Sequence, residues 1–342
     1  MRQIRVLVVE DSLVFRELMV QNLNKDPAIT VVATAKDPFE AREAILKHKP
    51  DVMTLDIEMP KMNGIDFLKM LMPTNPIPVV MISSLSDKVF DALNAGAVDF
   101  VAKPQAADKE QLAEFITNEL PVKIKVASIA KLGNRRRVPI EAPVQPIKAG
   151  KQDMVIAIGA STGGTEAIAT LLKEFGPDLP GVVIVQHMPK GFTEMYASRL
   201  NRQCGLAVKE ARHGDLVLPG QVLIAPGGDA HMSLVKVNGN YQVAVRKGEK
   251  VNGHCPSVEV LFDSVAEVAK DKAIGIMLTG MGGDGAQGML KMRKAGARTI
   301  GQDESTCVVY GMPKVAYDLG AVEYQEKLSD ITKRLYQLLG KM

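Results

Sequence analysis

Short apolar runs that alternate with segments of helical period constrain the fold of this chain more than any other feature of its sequence. In the first part of the chain such runs occupy residues 4–9, 29–33, 52–55, 79–82 and 98–101. Apolar strands joined by helical segments are typical of a parallel sheet that helices cover on both faces. We therefore predict an α/β fold with a doubly wound, five-stranded parallel sheet in this part of the chain.

A second set of apolar runs indicates a second domain. These runs occupy residues 154–158, 182–185, 222–225 and 274–278. A chain of 342 residues exceeds the size of one typical core, since domains average roughly 150 residues. Between the two sets, residues 123–151 hold eight Lys or Arg and a single acid, Glu141, and several prolines lie nearby. We predict a first domain at 3–120, a basic, Pro-containing linker at 121–151 and a second α/β domain at 152–342.

Composition excludes several classes of protein. The N-terminus lacks the long apolar stretch of a signal peptide, and no run reaches the roughly 18 apolar residues of a membrane span. The three cysteines, Cys204, Cys255 and Cys307, form no CxxC pair, which argues against a disulfide framework and against zinc. The basic excess lies in the linker, where residues 135–137 are expected to be solvated rather than to bind nucleic acid. We expect a cytoplasmic protein without membrane insertion.

Acidic and basic side chains follow the strands predicted in the first domain. Glu10 and Asp11 follow the first strand, Asp56 the third, Ser83 the fourth and Lys103 the fifth. Ligands of such sheets gather at the carboxyl ends of the strands, and three converging carboxylates need a shared cation such as Mg²⁺. The pattern predicts a Mg²⁺ site at the three acids, with phosphoryl transfer to Asp56 and contacts from Lys103 and Ser83. The alternative is that each acid is an ordinary solvated loop residue.

These five positions, followed by Pro104, closely resemble the pattern of the response-regulator receiver family over residues 3–120. The resemblance implies the same roles: metal ligands at the three acids, Asp56 as phosphoacceptor, and a switch formed by the serine and the lysine. Two features depart from the family pattern. Glu10 stands where many members have Asp, and residues 87–95 are about one helical turn shorter than expected.

The second domain carries a serine between a predicted strand and a helix. Ser161 lies in the sequence Gly-Ala-Ser-Thr-Gly-Gly of residues 159–164. Glycines permit a tight turn there, and amides at the start of a helix stabilise an oxyanion. The alternative is that Ser161 and Thr162 only cap the helix. Because His187 and Asp284 also follow predicted buried strands, the three side chains are expected to meet as nucleophile, general base and orienting acid. Their order along the chain differs from that of α/β-hydrolases, which predicts a different fold.

Other residues of the second domain compete for these roles. His231 and His254 are expected to line the pocket or to have structural or solvated roles, and Cys255 and Cys307 to be small, semi-buried residues. Residues 280–285 also read GxGxxG, and Asp303 follows at the distance of a ribose-binding acid. This motif leaves a dinucleotide-binding alternative open, although it lies late in the domain, with fewer than sixty residues after it.

Several blocks of the second half resemble the catalytic domain of the chemotaxis protein-glutamate methylesterase family, the CheB family. The blocks are residues 158–164, 186–189, 224–228, 254–261, 279–285 and 307–313. The order of receiver, linker and esterase also matches that family along nearly the whole chain. The resemblance implies a Rossmann-like α/β methylesterase domain, with Ser161, His187 and Asp284 as the triad and the backbone amide of Met281 as an oxyanion contact.

The resemblance also implies what the protein acts on. The expected reaction is hydrolysis of glutamate methyl esters on chemoreceptors through an acyl-serine, which releases methanol and needs no cofactor, with deamidation of receptor glutamines by the same chemistry. Expected partners are the chemoreceptors and a chemotaxis histidine kinase, and a monomer suffices. The unphosphorylated receiver is expected to cover the serine until Asp56 is phosphorylated. The alternative class, a DNA-binding response regulator, fits poorly, because the output half is strand-rich and about 190 residues long.

Overall fold

The computed structural model describes residues 2–84, 87–104, 112, 115–132 and 153–341. The chain folds as two compact units, Met1–Gly133 and Asn134–Met342. Each unit is built on its own parallel sheet, as the alternation of apolar runs predicts. Within the described ranges, none of the helices has the length and apolar character needed to cross a membrane.

The first unit contains a five-stranded parallel sheet of order β2-β1-β3-β4-β5. Its strands are β1 Ile4–Val9, β2 Ile29–Ala35, β3 Val52–Asp56, β4 Val79–Ser83 and β5 Asp99–Ala102. All five predicted strands are confirmed, with ends shifted by at most two residues. Because β1 and β3 are neighbours and β4 lies next to β3, the residues that follow these three strands share one edge.

Helices surround this sheet, and polar caps define where several of them begin. They are Leu13–Leu23, Pro38–His48, Gly64–Leu71, Lys88–Ala95 and Leu120–Ser128, the last preceded by a π-helical segment at Phe115–Glu119. Asp37 accepts hydrogen bonds from the amides of Phe39 and Glu40, and Asn63 accepts one from the amide of Asp66. Such caps satisfy amides that have no partner within the helix. The short segment at 87–95 contains the two-turn helix Lys88–Ala95.

The first residues of the predicted linker are helical in the structure, which differs from the prediction. Residues 121–128 belong to the helix Leu120–Ser128, in which Leu120, Ile124 and Ala127 are fully buried. Pro121, a linker signal in the sequence, is the second residue of this helix. Most of the remaining linker, residues 133–151, lies outside the described residues.

The second unit contains a seven-stranded parallel sheet of order β14-β13-β12-β6-β7-β9-β8 and a separate antiparallel hairpin, β10-β11. The strands are β6 Val155–Ala160, β7 Gly181–Gln186, β8 Ala207–Glu210, β9 Gln221–Ile224, β10 Ala230–Val237, β11 Asn240–Lys247, β12 Ala273–Met277, β13 Arg298–Gln302 and β14 Tyr324–Glu326. The prediction of a Rossmann-like α/β domain is confirmed. The order reverses beside β6, and ligands of open α/β sheets bind where the strand order reverses.

The helices of this unit cover its sheet, and the apolar side chains of sheet and helices form the core between them. The helices are Gly164–Glu174, Phe192–Gln203, Val258–Val268, Ala286–Lys294, Met312–Asp318 and Leu328–Lys341, with 3₁₀ turns at Lys270–Lys272 and Glu304–Thr306. Val258–Val268 contributes Val258, Leu261, Phe262 and Val265, none of which is exposed to solvent. This helix therefore has a fixed place in the core, and its N-terminus provides a rigid support for a nearby side chain.

Candidate active site

Ser161 lies on the turn that joins β6 to the helix Gly164–Glu174. Its amide donates to the carbonyl of Thr279 (3.0 Å), and its carbonyl accepts from the amide of Gly164 (2.7 Å). The N-cap of the helix is Gly163, with φ of +80°. Ser161 and Thr162 precede this position, so neither of them is the N-cap residue. A Cβ on Gly163 would approach Val308 to 2.7 Å, so the turn requires glycine both for its φ and for its space.

His187 follows the neighbouring strand, β7. Ala160 pairs with Gln186 in the β6-β7 register, and the amide of His187 donates to the carbonyl of Ala160 (3.1 Å). The side-chain amide of Gln186 donates to the carbonyls of Ser161 (2.9 Å) and His187 (3.1 Å). These bonds hold the serine and the histidine side by side at one edge of the sheet, as predicted.

Asp284 pairs with His187 in the loop that follows β12. The Nε2 atom of His187 lies 2.8 Å from Oδ2 of Asp284, and both side chains are buried. The other ring nitrogen, Nδ1, is buried and has no hydrogen-bond partner among the described residues. A carboxylate accepts only from a protonated nitrogen, so Asp284 places the proton on Nε2 and leaves Nδ1 as the basic nitrogen.

The carboxylate of Asp284 lies at the N-terminus of the helix Val258–Val268. It accepts from the hydroxyl of Ser257 (2.7 Å) and from the amides of Val258 (2.7 Å) and Glu259 (3.3 Å). Asn252 donates a further hydrogen bond from Nδ2 to Oδ1 (3.1 Å). Amides and the positive end of a helix dipole stabilise a carboxylate. The anchor explains how a buried acid stays in place beside the histidine.

The pKa of Asp284 follows from this environment. Burial by itself would raise the pKa, because it penalises the charged form. Hydrogen bonds from His187, Ser257 and Asn252, together with the charge of His187 when protonated, act in the other direction and lower the pKa to about 2. Asp284 is therefore an anion across the physiological range.

The peptide between Gly280 and Met281 lies next to the serine. A Cβ on Gly280 would lie 2.7 Å from Cβ of Ser161, so only glycine fits there. The carbonyl of Gly280 accepts from the amides of Gly311 (3.0 Å) and Met312 (2.8 Å). In a trans peptide the N–H points away from the carbonyl, so these two bonds also fix the direction of the Met281 amide.

Five other residues singled out in the sequence can be placed in the structure. His231 accepts from the amide of Ser257 (3.1 Å) through Nδ1, and its Nε2 lies 2.8 Å from the carbonyl of Glu249, which is a structural role. Asp303 caps the 3₁₀ turn Glu304–Thr306. Cys204 and Cys255 are partly buried, and Cys307 is fully buried.

Residues 280–285, the GxGxxG motif, form the loop that contains Asp284, whose carboxylate pairs with His187. In the structure this loop supplies the acid of the His187–Asp284 pair, and Asp303 caps the 3₁₀ turn Glu304–Thr306.

Sequence reasoning missed Asn252 and Ser257 as partners of Asp284. The pair Asn252-Gly253 is a turn signal, and Ser257 precedes a helical pattern as an N-cap, so both signals were present. The connection of either to Asp284, which lies 32 or 27 positions away, depends on tertiary packing. His254, expected to line the pocket or to be structural or solvated, stacks on His187.

In the first unit, the predicted acids meet at one edge of the sheet. One oxygen from each of Glu10, Asp11 and Asp56 lies within 4.8 Å of the others. Lys103 donates to both oxygens of Glu10 (2.9 Å each) and to Oδ2 of Asp56 (2.6 Å). Ser83 ends β4 at the same edge, and its hydroxyl donates to the carbonyl of Ser84 (2.8 Å). The structure thus brings four of the predicted residues together, Glu10, Asp11, Asp56 and Lys103, and places Ser83 at the same edge of the sheet.

The electrostatics of this cluster favour a cation. Burial raises the pKa of Glu10, as does the neighbouring Asp56, and Lys103 offsets only part of this, so that the pKa reaches about 7. Three carboxylates with one lysine leave net negative charge in a half-buried place. Clustered carboxylate oxygens are the ligands that Mg²⁺ prefers, and the residues present therefore fit this ion.

Comparisons with known proteins match both units of the chain. A family model described as CheB methylesterase matches residues 156–335, and one described as Response regulator receiver domain matches residues 6–117. A protein-glutamate methylesterase/protein-glutamine glutaminase 2 of Syntrophomonas wolfei is 60% identical, over 100% of this chain and 99% of that protein. A protein-glutamate methylesterase/protein-glutamine glutaminase of Syntrophotalea carbinolica is 50% identical, over 99% of both chains. The crystal structure of the Thermotoga maritima CheB methylesterase catalytic domain covers 57% of this chain and 100% of its own, with 38% identity and a TM-score of 0.52.

Proposed function

The chain belongs to the CheB methylesterase family, and we propose that Ser161, His187 and Asp284 form its catalytic triad. The protein is a protein-glutamate methylesterase and protein-glutamine glutaminase with an N-terminal receiver domain. The observation that carries the proposal is the buried pair of His187 and Asp284, set beside Ser161 at adjoining strand ends. The proposed substrates are methylated glutamates and glutamines of chemoreceptors.

The reaction begins when the hydroxyl oxygen of Ser161 attacks the ester carbonyl. The hydroxyl proton moves to Nδ1 of His187, the nitrogen that Asp284 leaves unprotonated. The anionic Asp284 stabilises the imidazolium that results. The oxyanion of the tetrahedral intermediate accepts from the amide of Met281.

Collapse of this intermediate breaks the bond to the methoxy oxygen. The proton on Nδ1 of His187 passes to that oxygen, methanol leaves, and the glutamyl group stays on Ser161 as an ester. Water then attacks the acyl-serine and gives a proton to Nδ1 of His187. The bond between the acyl carbon and the oxygen of Ser161 breaks, the proton passes from Nδ1 to that oxygen, and the glutamate and the free serine result. With a glutamine substrate the same steps release ammonia in place of methanol.

A fluorophosphonate probe tests the assignment of the nucleophile. Such probes react with an activated serine and stay attached to its oxygen. We expect mass spectrometry of the digested protein to find the probe on Ser161, and His187→Ala to slow the labelling by at least about 100-fold, since the general base is lost. Labelling of another serine, or labelling that does not depend on His187, would contradict the assignment.

We also infer how the receiver operates. Glu10, Asp11 and Asp56 would hold Mg²⁺, which when bound supplies the positive charge that offsets the oxygens of a phosphoryl group. Asp56 would accept the phosphoryl group from a chemotaxis histidine kinase. Lys103 would then leave its ion pairs with the acids to contact the phosphate, and Ser83 would donate its hydroxyl to the same group.

The exact bounds of the receiver, the linker and the esterase domain remain predictions, as does the covering of the serine by the receiver. Deletion of residues 1–140 tests the covering. A higher basal rate of methanol release supports the covering, and an unchanged rate contradicts it. The rate of the deletion variant is compared with the rate of the full chain after Mg²⁺ and a phosphodonor are added.

A further inference from the structure

A second histidine lies flat against the ring of His187. The ring centroids of His187 and His254 are 3.7 Å apart, and the ring planes are within 10° of parallel. The mechanism above gives His254 no proton to carry. A parallel contact this close nevertheless decides which orientations the ring of His187 can adopt.

His254 is the last residue of a short turn that begins at Val251. The backbones of Val251 and His254 exchange two hydrogen bonds of 3.0 Å. The two residues between them, Asn252 and Gly253, have φ of +52° and +82°. Positive φ at both central positions belongs to the type I′ turn, for which Asn-Gly is the preferred sequence. The sequence of the turn therefore supports the conformation that places His254.

The same turn also contacts Asp284, the hydrogen-bond partner of His187. Nδ2 of Asn252 donates to Oδ1 of Asp284 (3.1 Å), the carboxylate whose other oxygen accepts from His187. One turn thus contacts Asp284 through Asn252 and His187 through His254. The turn therefore holds the ring of His254 at a fixed position relative to the hydrogen bond between His187 and Asp284.

The geometry explains why His187 needs such a support. The bond between Nε2 and Asp284 fixes one atom of the ring, and Nδ1 has no partner that would fix a second. The final side-chain torsion of histidine is broad, so a single hydrogen bond leaves the ring free to tilt about Nε2. A flat neighbour 3.7 Å away restricts that tilt.

We propose that His254 is a positioning residue that holds the ring of His187 in the plane in which Nε2 meets Asp284 and Nδ1 faces the attacking serine. The inference rests on the proposed triad. Its action is through His187 and not through contact with the substrate. It predicts that shape and planarity at position 254 matter and that a titratable nitrogen there does not.

The experiment compares His254→Ala, His254→Phe and the wild type in methanol release from methylated chemoreceptor membranes, with His213→Ala as the control. His213 is exposed and lies away from the triad's contacts. We expect His254→Ala to lower kcat by about 10- to 100-fold with KM within about twofold, because small displacements of a catalytic group cost this much. His254→Phe should recover most of kcat, and His213→Ala should match the wild type.

Two results would overturn the proposal: a wild-type kcat in His254→Ala, or a kcat in His254→Phe as low as in His254→Ala. The second would mean that the imidazole nitrogens, rather than the ring plane, are required. Thermal melting of each variant identifies loss of folding, and His254→Gln replaces the alanine variant if that one does not fold. Ser161→Ala in the same assay separates the two ideas: if it keeps activity the triad itself fails, and if it is inactive while His254→Ala is normal, only the role of His254 fails.

Discussion

Asp284 accepts from Nε2 of His187 and not from Nδ1, at a distance of 2.8 Å. This choice of nitrogen determines the direction of proton transfer in the proposed mechanism, since it leaves Nδ1 unprotonated and able to act as the base. The fold determines the position of the carboxylate, because Asp284 accepts hydrogen bonds from Ser257 and Val258 at the N-terminus of the helix Val258–Val268. Predictions about the triad therefore concern both chemistry and stability.

Replacing Asp284 with Asn should nearly abolish catalysis. The amide can donate to the ring of His187, which favours the wrong tautomer, and it cannot stabilise the imidazolium. We expect kcat for methanol release to fall by about 10³- to 10⁴-fold. Asp318→Asn is the matched control, because Asp318 is an exposed acid paired with Lys314. A fall of less than tenfold in Asp284→Asn would show that the carboxylate is dispensable.

Asp284 should also give stability a defined pH dependence. Its pKa is about 2 in the folded protein and 3.8 as the ordinary value, so the folded state favours the anion. A lowered pKa contributes stability that is complete above the ordinary value and is lost as the pH falls toward 2; here the contribution is about 2 kcal/mol.

The difference in urea midpoint between the wild type and Asp284→Asn measures this contribution. We expect a constant difference from pH 7 to about pH 5 and a progressively smaller one from there to pH 2. A difference that does not change over the acid range would mean that the hydrogen bonds to Asp284 do not depend on its charge.

Gly163 should be more sensitive to alanine than an exposed glycine of similar conformation. Gly163 and Gly239 have φ of +80° and +84°, but only at Gly163 would a Cβ meet another residue, Val308, at 2.7 Å. We expect Gly239→Ala to cost about 1 kcal/mol of stability and to leave activity intact. Gly163→Ala should cost more and should lower kcat, because the turn that carries Ser161 must move. Equal effects of the two changes in melting and in kcat would contradict this reading of the turn.

Removing the acceptor carboxylate of the receiver should abolish stimulation and leave the basal reaction. Asp56→Asn keeps the size of the side chain but cannot form an acyl phosphate. We expect Mg²⁺ with a small-molecule phosphodonor to raise methanol release by the wild type and to have no effect on Asp56→Asn. Asp66→Asn, at an exposed acid of the same unit, should respond like the wild type. Stimulation of Asp56→Asn would place the phosphorylated residue elsewhere.

Much of the fold and the site could be predicted because the informative residues follow strands. Glu10, Asp56, Ser161 and His187 each lie at or directly after the end of a buried strand, and the ends of parallel strands share an edge. Asp284 is seven residues beyond β12 and was identified from the same rule. The local sequence pattern was sufficient to predict the positions of these residues, because the alternation of apolar runs and helical segments already implies the parallel sheet.

Other features depend on packing that local pattern does not contain. The helix Leu120–Ser128 contains a proline that also suits a linker, and its buried face became clear only against the sheet of the first unit. The hairpin β10-β11 lies outside both parallel sheets, and it was not predicted. Asn252 and His254 reach the triad from a turn about thirty positions from Asp284, so only the tertiary structure connects them.

Methanol release from methylated chemoreceptor membranes tests the central claim most directly, with the wild type, Ser161→Ala and Ser198→Ala compared at equal concentration. Ser198 is an exposed serine of the helix Phe192–Gln203 and serves as the control. We predict release by the wild type and by Ser198→Ala, and a rate for Ser161→Ala that is indistinguishable from membranes without enzyme. Release by Ser161→Ala at a rate close to that of the wild type would contradict the account.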